Sequence, residues 1–302
     1  MSDATVLYDA PGPRARVRNL VIAVIGGVLL AAAVFVVIRA LAVKEQLTGE
    51  KWLPFLQADS WTAYIIPGLI GTLVAAAISV VLAVIFGILL GMGRLSEVTP
   101  VRILCGAFVE FFRSVPVLVM MLFAYFFGIF VLQVDPDLLP LFGTIVGLTF
   151  YNSCVIAELV RSGVHALPKG QREAGWAIGL TPTQTLTSIL LPQAITAMLP
   201  SIISQLVVIL KDSALGYNIV YLELLRQGQN LATYRGNLIP TLIVLAAIYI
   251  VINWGLTRLA GLVEKRLREG KRGIKAGPEA GFVVMEETAA DEGVEEPSEL
   301  QR

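Results

Sequence analysis

Six long apolar stretches decide what this chain can fold into. They run over about residues 19–43, 63–92, 115–134, 138–160, 190–215 and 238–261 of 302. A helix that spans lipid needs about 20 mostly apolar residues, and each stretch meets or approaches that length. In hydrocarbon a backbone amide must find its partner within the protein, which makes each such stretch a helix. The sequence therefore predicts an all-α, polytopic membrane protein with about six transmembrane helices. Composition agrees: 56% of the residues are hydrophobic and 15% are charged, whereas a soluble domain carries roughly 25% charged residues. The second stretch is long enough to tilt. The fifth contains Pro192 and Pro200, ends near Lys211 and Asp212, and is the least regular.

Arg14, Arg16 and Arg18 precede the first stretch, as in a signal peptide. Its apolar run exceeds the roughly 7–15 residues of such a peptide, so a retained extra helix over 19–43 is expected, after a short segment 1–18. Basic residues set the orientation. With the N-terminus in the cytoplasm, the inner pieces (1–18, 93–114, 161–188, 258–275) hold 16 Lys and Arg, and the outer pieces (44–62, 133–139, 211–237) hold 5. Both termini are predicted to be cytoplasmic. Net charge is zero, so no bulk field draws the chain to nucleic acid. From 277 to 302 Arg302 is the only basic residue among eight Asp and Glu, which predicts a disordered acidic cytoplasmic tail.

Little here points to bond-making chemistry. Cys105 and Cys154 lie in or near apolar stretches and read as small hydrophobes. His165, the one histidine, is placed in a polar loop. No C-x-x-C, no H-E-x-x-H and no G-x-x-x-x-G-K-[ST] occurs, so no metal is expected and the chain binds no ATP by that route. No catalytic residue and no cofactor is predicted. An intramembrane protease would need Ser and His at membrane depth, and His165 is off that level.

The polar loop at 168–192 reads as a stiff joint. Pro168 suits the first turn of a helix, and Glu173 is expected early in that helix, where a carboxylate favours the dipole. Ala174, Ala177 and Ile178 fall on one face. Gly175 and Gly179 permit close approach, and Gly179 can end the helix in a left-handed conformation. Thr181-Pro182-Thr183-Gln184 is a capping-box pattern for a second helix.

Glu173-Ala174, Gly179, Ile189, Leu191 and Pro192 together follow E-A-x(4)-G-x(9)-I-x-L-P. This resembles the EAA loop of the permease subunits of ATP-binding-cassette importers. Gly175 departs from the pattern, which has a second Ala there. Glu110-x-x-Arg113-Ser114-Val115-Pro116 is similar to the E-x-x-R-G-T-P element of the polar amino acid branch. Ala157-Glu158-x-x-Arg161-x-Gly163 and Leu210-Lys211-Asp212-Ser213 are similar to A-E-I-x-R-G-G and L-K-D-T of the same branch. The likeness covers about 63–262, and an extra N-terminal helix resembles the glutamate-type permeases of actinobacteria.

The resemblance implies a MetI-like permease fold over 63–262 with a cytoplasmic coupling loop at 168–192. It implies ATPase coupling through Glu173, Ala174, Gly175, Ala177, Ile178, Gly179 and Pro192. The implied partners are two ATPase subunits that bind ATP and Mg, a second permease chain (identical or homologous), an extracytoplasmic amino-acid-binding protein and membrane lipid. The implied location is the bacterial cell membrane. A zwitterionic amino acid needs partners at membrane depth, and Tyr151, Asn152, Ser153, Lys211, Asp212 and Ser213 are the candidates. For these, two readings stay open: a solute path, or polar glue and snorkelling at the interface. Glu110 with Arg113, and Glu158 with Arg161, stand three apart and read as structural ion pairs. The alternative is a secondary amino acid transporter driven by an ion gradient, which would show internal repeats; no convincing repeat is present.

Overall fold

The computed structural model describes residues 12–272, and the acidic tail expected at 277–302 lies outside them. Nine helical segments carry the described chain. Helix α1, Pro13–Val43, buries none of its residues. Short turns at Gly49–Trp52 and Leu53–Leu56 lead into α2, Ala58–Arg94. Then come α3, Thr99–Ser114, and α4, Val117–Leu132. Next are α5, Leu139–His165, and α6, Lys169–Ala177. After them, α7, Pro182–Ile219, α8, Leu224–Arg235, and α9, Leu238–Arg272, close the order.

Among the described residues, five helices (α1, α2, α5, α7 and the Leu238–Leu259 part of α9) are long and apolar enough to cross a membrane. The expected third span differs from a straight rod. It is a pair, α3 and α4, bent by 103°, and it reaches spanning length only when both halves are counted. Pro116 causes the bend. Its ring excludes the helical region for the residue before it, and Val115 is accordingly extended (φ −88, ψ 130). The expected fifth span is longer than 190–215, because Pro182–Thr185 stacks on it through a π-turn at Leu186–Leu190. Pro200 sits inside α7 without ending it.

Helix α5 is the axis of the bundle. Its Leu148, Ile156 and Val160 are fully buried with Ala83 of α2, Met121 of α4 and Ile209 of α7. The face of α2 toward α5 is a ladder of small residues four apart: Ala75, Ser79, Ala83, Gly87 and Gly91, all buried. Lipid offers no hydrophobic gain for helix pairing, so close backbone approach over small residues supplies the contact. A Cβ at Gly87 would stand 2.6 Å from Ile156, and one at Gly91 would stand 2.9 Å from Val160.

The other end of the bundle is closed by α8. Ile65 of α2, Leu224 and Leu231 of α8, and Leu245 of α9 form a separate buried cluster there. Lys51 Nζ donates to Gly236 O at 2.9 Å, and Asn237 Nδ2 donates to Lys51 O at 2.9 Å.

Candidate functional site

The 168–192 segment is a rigid elbow. Helix α6 ends in a Schellman turn: Gly179 N–H donates to Trp176 O at 2.9 Å and Leu180 N–H to Gly175 O at 3.1 Å. Gly179 takes φ +84, as the sequence predicts for a glycine stop. Two residues later the capping box is complete, with Gln184 N–H donating to Thr181 Oγ1 and Thr181 N–H to Gln184 Oε1. Gln193 Nε2 of α7 donates to Gln171 Oε1 of α6 at 3.1 Å, tying the two arms. Under the corner, Val164, Leu190 and Ala194 are buried with Leu95, Leu167, Leu186 and Ile189 packed on them.

Gly175 is the one buried residue of α6, seated against Thr185 and Ile189. The departure from the two-alanine pattern thus has a packing reason. Ala174, Ala177 and Ile178 lie open, and Ile178 is 74% exposed. Glu173 differs from expectation: it is mid-helix, and the first turn of α6 holds no acid, because the helix starts at Lys169 with Pro168 as its cap. Trp176, which the sequence reading passed over, is 47% exposed beside Ile178. A large aromatic in a polar loop was the available signal. A cleft of about 300 Å³ under α6 is lined by His165, Lys169, Arg172, Glu173 and Trp176. His165 is the last residue of α5 rather than part of a loop, with its Nδ1 2.8 Å from Arg161 O.

The charged residues at the elbow end form a network instead of two separate pairs. Glu158 Oε2 accepts from Arg94 Nη1 at 2.6 Å and lies 3.3 Å from Arg113 Nη1. Glu158 Oε1 accepts from Arg161 Nη2 at 2.6 Å and Nε at 3.1 Å. Glu110 pairs with Arg94 at 3.3 Å, so the expected Glu110–Arg113 pair is replaced by bonds across helices. Sequence spacing does not reveal Arg94, whose partners are 16 and 64 residues away.

The six path candidates fall into two groups. Asn152 is fully buried: its Nδ2 donates to Leu148 O at 2.7 Å, and its Oδ1 accepts from Gln205 Nε2 of α7 at 2.6 Å. Ser153 is also buried and donates to Phe150 O, while Tyr151 is half-buried. Ser213 is buried and donates to Leu210 O. Lys211 is exposed, Asp212 is half-buried, and no ion pair joins them. The groups stand apart along the bundle. A Cβ at Gly216 would touch Thr144 Oγ1 at 2.8 Å, which places the 213–216 turn at the level of Thr144. Eight residues of helix separate that level from Asn152, about 12 Å. The cavity of about 650 Å³ between α3, α4 and α5 is lined by Phe111, Phe112, Phe123, Phe127, Phe142 and Phe150 with other apolar residues. It has nothing to hold an ammonium or a carboxylate.

At the far end, Glu223 caps α8 and was also missed. It is fully buried and accepts from Leu225 N–H at 2.8 Å, Arg226 N–H at 2.7 Å and Tyr249 O–H at 3.0 Å. Burial holds its carboxyl above the ordinary value, against the pull of the two amides, Tyr249 and the Arg226 charge. Beside it Leu224 N–H donates to Thr72 Oγ1, and Tyr221 O–H to Gly71 O.

The sequence profile of the binding-protein-dependent transport system inner membrane component family matches residues 83–269. This chain belongs to that family. The permease is 49% identical over 226 residues to the glutamate transport system permease protein GluD of Corynebacterium glutamicum, covering 75% of this chain and 83% of that one. It is 33% identical to the probable glutamine ABC transporter permease protein GlnP of Bacillus subtilis, covering 68% and 94%. A crystal structure of an amino acid ABC transporter superposes with a TM-score of 0.63 at 28% identity, over 70% of the permease and 98% of that chain. The permease also shares the fold of the inward-facing MetNI methionine transporter, with a TM-score of 0.51 over 68% of this chain and 97% of that one. The MetI-like fold predicted from the sequence is present. The permease is a multi-pass membrane transport component rather than an enzyme, and family membership sets aside the reading as an ion-gradient transporter.

Proposed function

We propose that the permease forms one half of an ATP-driven importer that carries glutamate or a similar polar amino acid into the cytoplasm. The observation that carries this is the elbow. A corner fixed by a Schellman turn, a capping box and the Gln171–Gln193 bond moves as a solid piece. It exposes Ile178 and about half of Trp176, two apolar side chains of the polar elbow. Two separate ATPase subunits, holding ATP and Mg, seat on this tip and on that of a second permease chain. A binding protein delivers the solute at the α8 end. Closure of the ATPases shifts a two-state equilibrium of the helices, and the elbow passes that shift to α5 and α7. The excess of Lys and Arg on the pieces around the elbow supports a cytoplasmic elbow and cytoplasmic termini. Likeness to a glutamate permease supports glutamate as the first solute to test.

The experiment is reconstitution. The permease is purified with its ATPase and binding protein in liposomes, and uptake of radiolabelled L-glutamate is followed with and without ATP. Uptake that needs ATP and the ATPase supports the proposal. Uptake by the permease alone, driven by an ion gradient, overturns it.

A further inference from the structure

We infer that Glu158 is an exchange latch, through which movement of the elbow is registered by α2 and α3. This rests on the coupling role proposed for the elbow. Glu158 stands on α5, close to where α5 turns into the elbow, and it meets arginines from three helices. Its partners are of two kinds. Arg161 lies three residues further on the same helix and travels with it. Arg94, the last residue of α2, and Arg113, near the end of α3, do not. A rotation of α5 would therefore draw Glu158 away from Arg94 and Arg113 while Arg161 stays bound. The carboxylate is never left unpaired, which removes the heavy penalty of an isolated charge near lipid. Opening is thereby cheap and closure stays favourable.

The surroundings suit a latch. The rest of the α3–α5 seam is apolar: Val109, Cys154 and Ala157 are buried there beneath Phe108 and Phe112. Apolar contact has little directional preference and lets helices shift. Charged hydrogen bonds have fixed distances and angles, so they are made or broken at discrete positions. Arg94 is the key to the closed state. Its side chain is 10% exposed, and its two branches reach different carboxylates, Glu158 and Glu110, so one residue ties α2 to both α5 and α3. A lysine keeps the charge but has a single ammonium and cannot make that fork. Arg94 and Glu158 are thus positioning residues for transport, at a distance from the solute.

Arg94→Lys and Glu158→Gln test this in the reconstituted complex, with ATP hydrolysis and L-glutamate uptake measured in the same vesicles. The expected result is a loss of coupling. Both variants still bind the ATPase and hydrolyse ATP, the concentration for half-maximal uptake is unchanged, and glutamate moved per ATP falls about tenfold. Glu158→Asp, which keeps the charge, should recover part of that ratio. Equal loss of hydrolysis and uptake would make these residues ordinary fold supports and overturn the latch. So would an unchanged ratio in Arg94→Lys. Failure of the unaltered permease to bind any ATPase would instead sink the coupling reading on which the latch depends.

Discussion

Gly175 of α6 is packed directly against Thr185 of α7 inside the elbow. A Cβ at Gly175 would stand 2.7 Å from Thr185 Cγ2 and 2.9 Å from its hydroxyl. Thr185 is 1% exposed and its hydroxyl has no partner, so it is held by packing alone. Gly175→Ala gains up to about 1 kcal/mol of helix propensity. Overpacking costs about 1–3 kcal/mol, and a β-branched neighbour inside a helix has little rotamer freedom with which to give way. Overpacking wins. Gly175→Ala should weaken ATPase retention on an affinity column, and adding Thr185→Ala should restore it. Full retention by the single variant would remove this contact from the argument.

Trp176→Ala and Glu173→Lys should leave membrane insertion intact and abolish co-purification with the ATPase. Trp176 is half exposed and belongs to none of the buried apolar clusters, so its truncation leaves the core intact. Truncating an exposed aromatic anchor of an interface typically costs 2 kcal/mol or more, about a thirtyfold loss of affinity. Normal co-purification of both variants would count against the elbow as the docking site.

Asn152→Leu removes the bond from Gln205 Nε2 between α5 and α7. Interhelical hydrogen bonds in membranes are worth about 0.6 kcal/mol on average, so a fall in melting temperature of about 1–2 °C in detergent is expected. If Asn152 also meets solute, the half-saturating glutamate concentration will rise as well. Unchanged stability together with unchanged uptake would deny it both roles.

Lys211→Ala addresses the other group of candidates. Lys211 is exposed and has no ion pair with Asp212, so its loss breaks no salt bridge. Transport should be impaired while the ATPase stays bound. Uptake with unaltered affinity and rate would take Lys211 out of the path.

Glu223 gives a pH signature. Burial raises its carboxyl above the ordinary 4.5. A group that holds its proton more tightly in the folded state contributes stability that is complete below its unfolded value and is lost as pH climbs through the raised one. The melting temperature of the unaltered protein minus that of Glu223→Gln should therefore shrink as pH rises from about 4 toward neutrality. A difference that grows over that window would contradict the assignment.

What the sequence revealed was set by local chemistry. The elbow was legible because Gly179, Thr181, Pro182 and Gln184 act within a few residues of one another. The long apolar helices were legible because lipid demands length and hydropathy from each one separately. The bend at Pro116 falls where the 115–134 stretch begins, and what stayed hidden was that the more polar 99–114 helix pairs with it to reach spanning length. Arg94 and Glu223 were not legible. Their roles come from partners such as Glu158 for Arg94 and Tyr249 for Glu223, which only the assembled bundle brings close. Trp176 was readable in principle, as a bulky apolar residue with no core in its loop to enter.

The ladder of small residues on α2 limits how this bundle can rearrange. Sliding α2 by one residue would drive a side chain into a place with room only for a hydrogen, at Gly87 and again at Gly91. Axial slip is thereby opposed, and α2 with α5 forms a lever whose two helices can turn against each other but cannot slide. The freedom a transporter needs is left to the joints around that lever, of which the proline corner at Val115 is the most sharply turned.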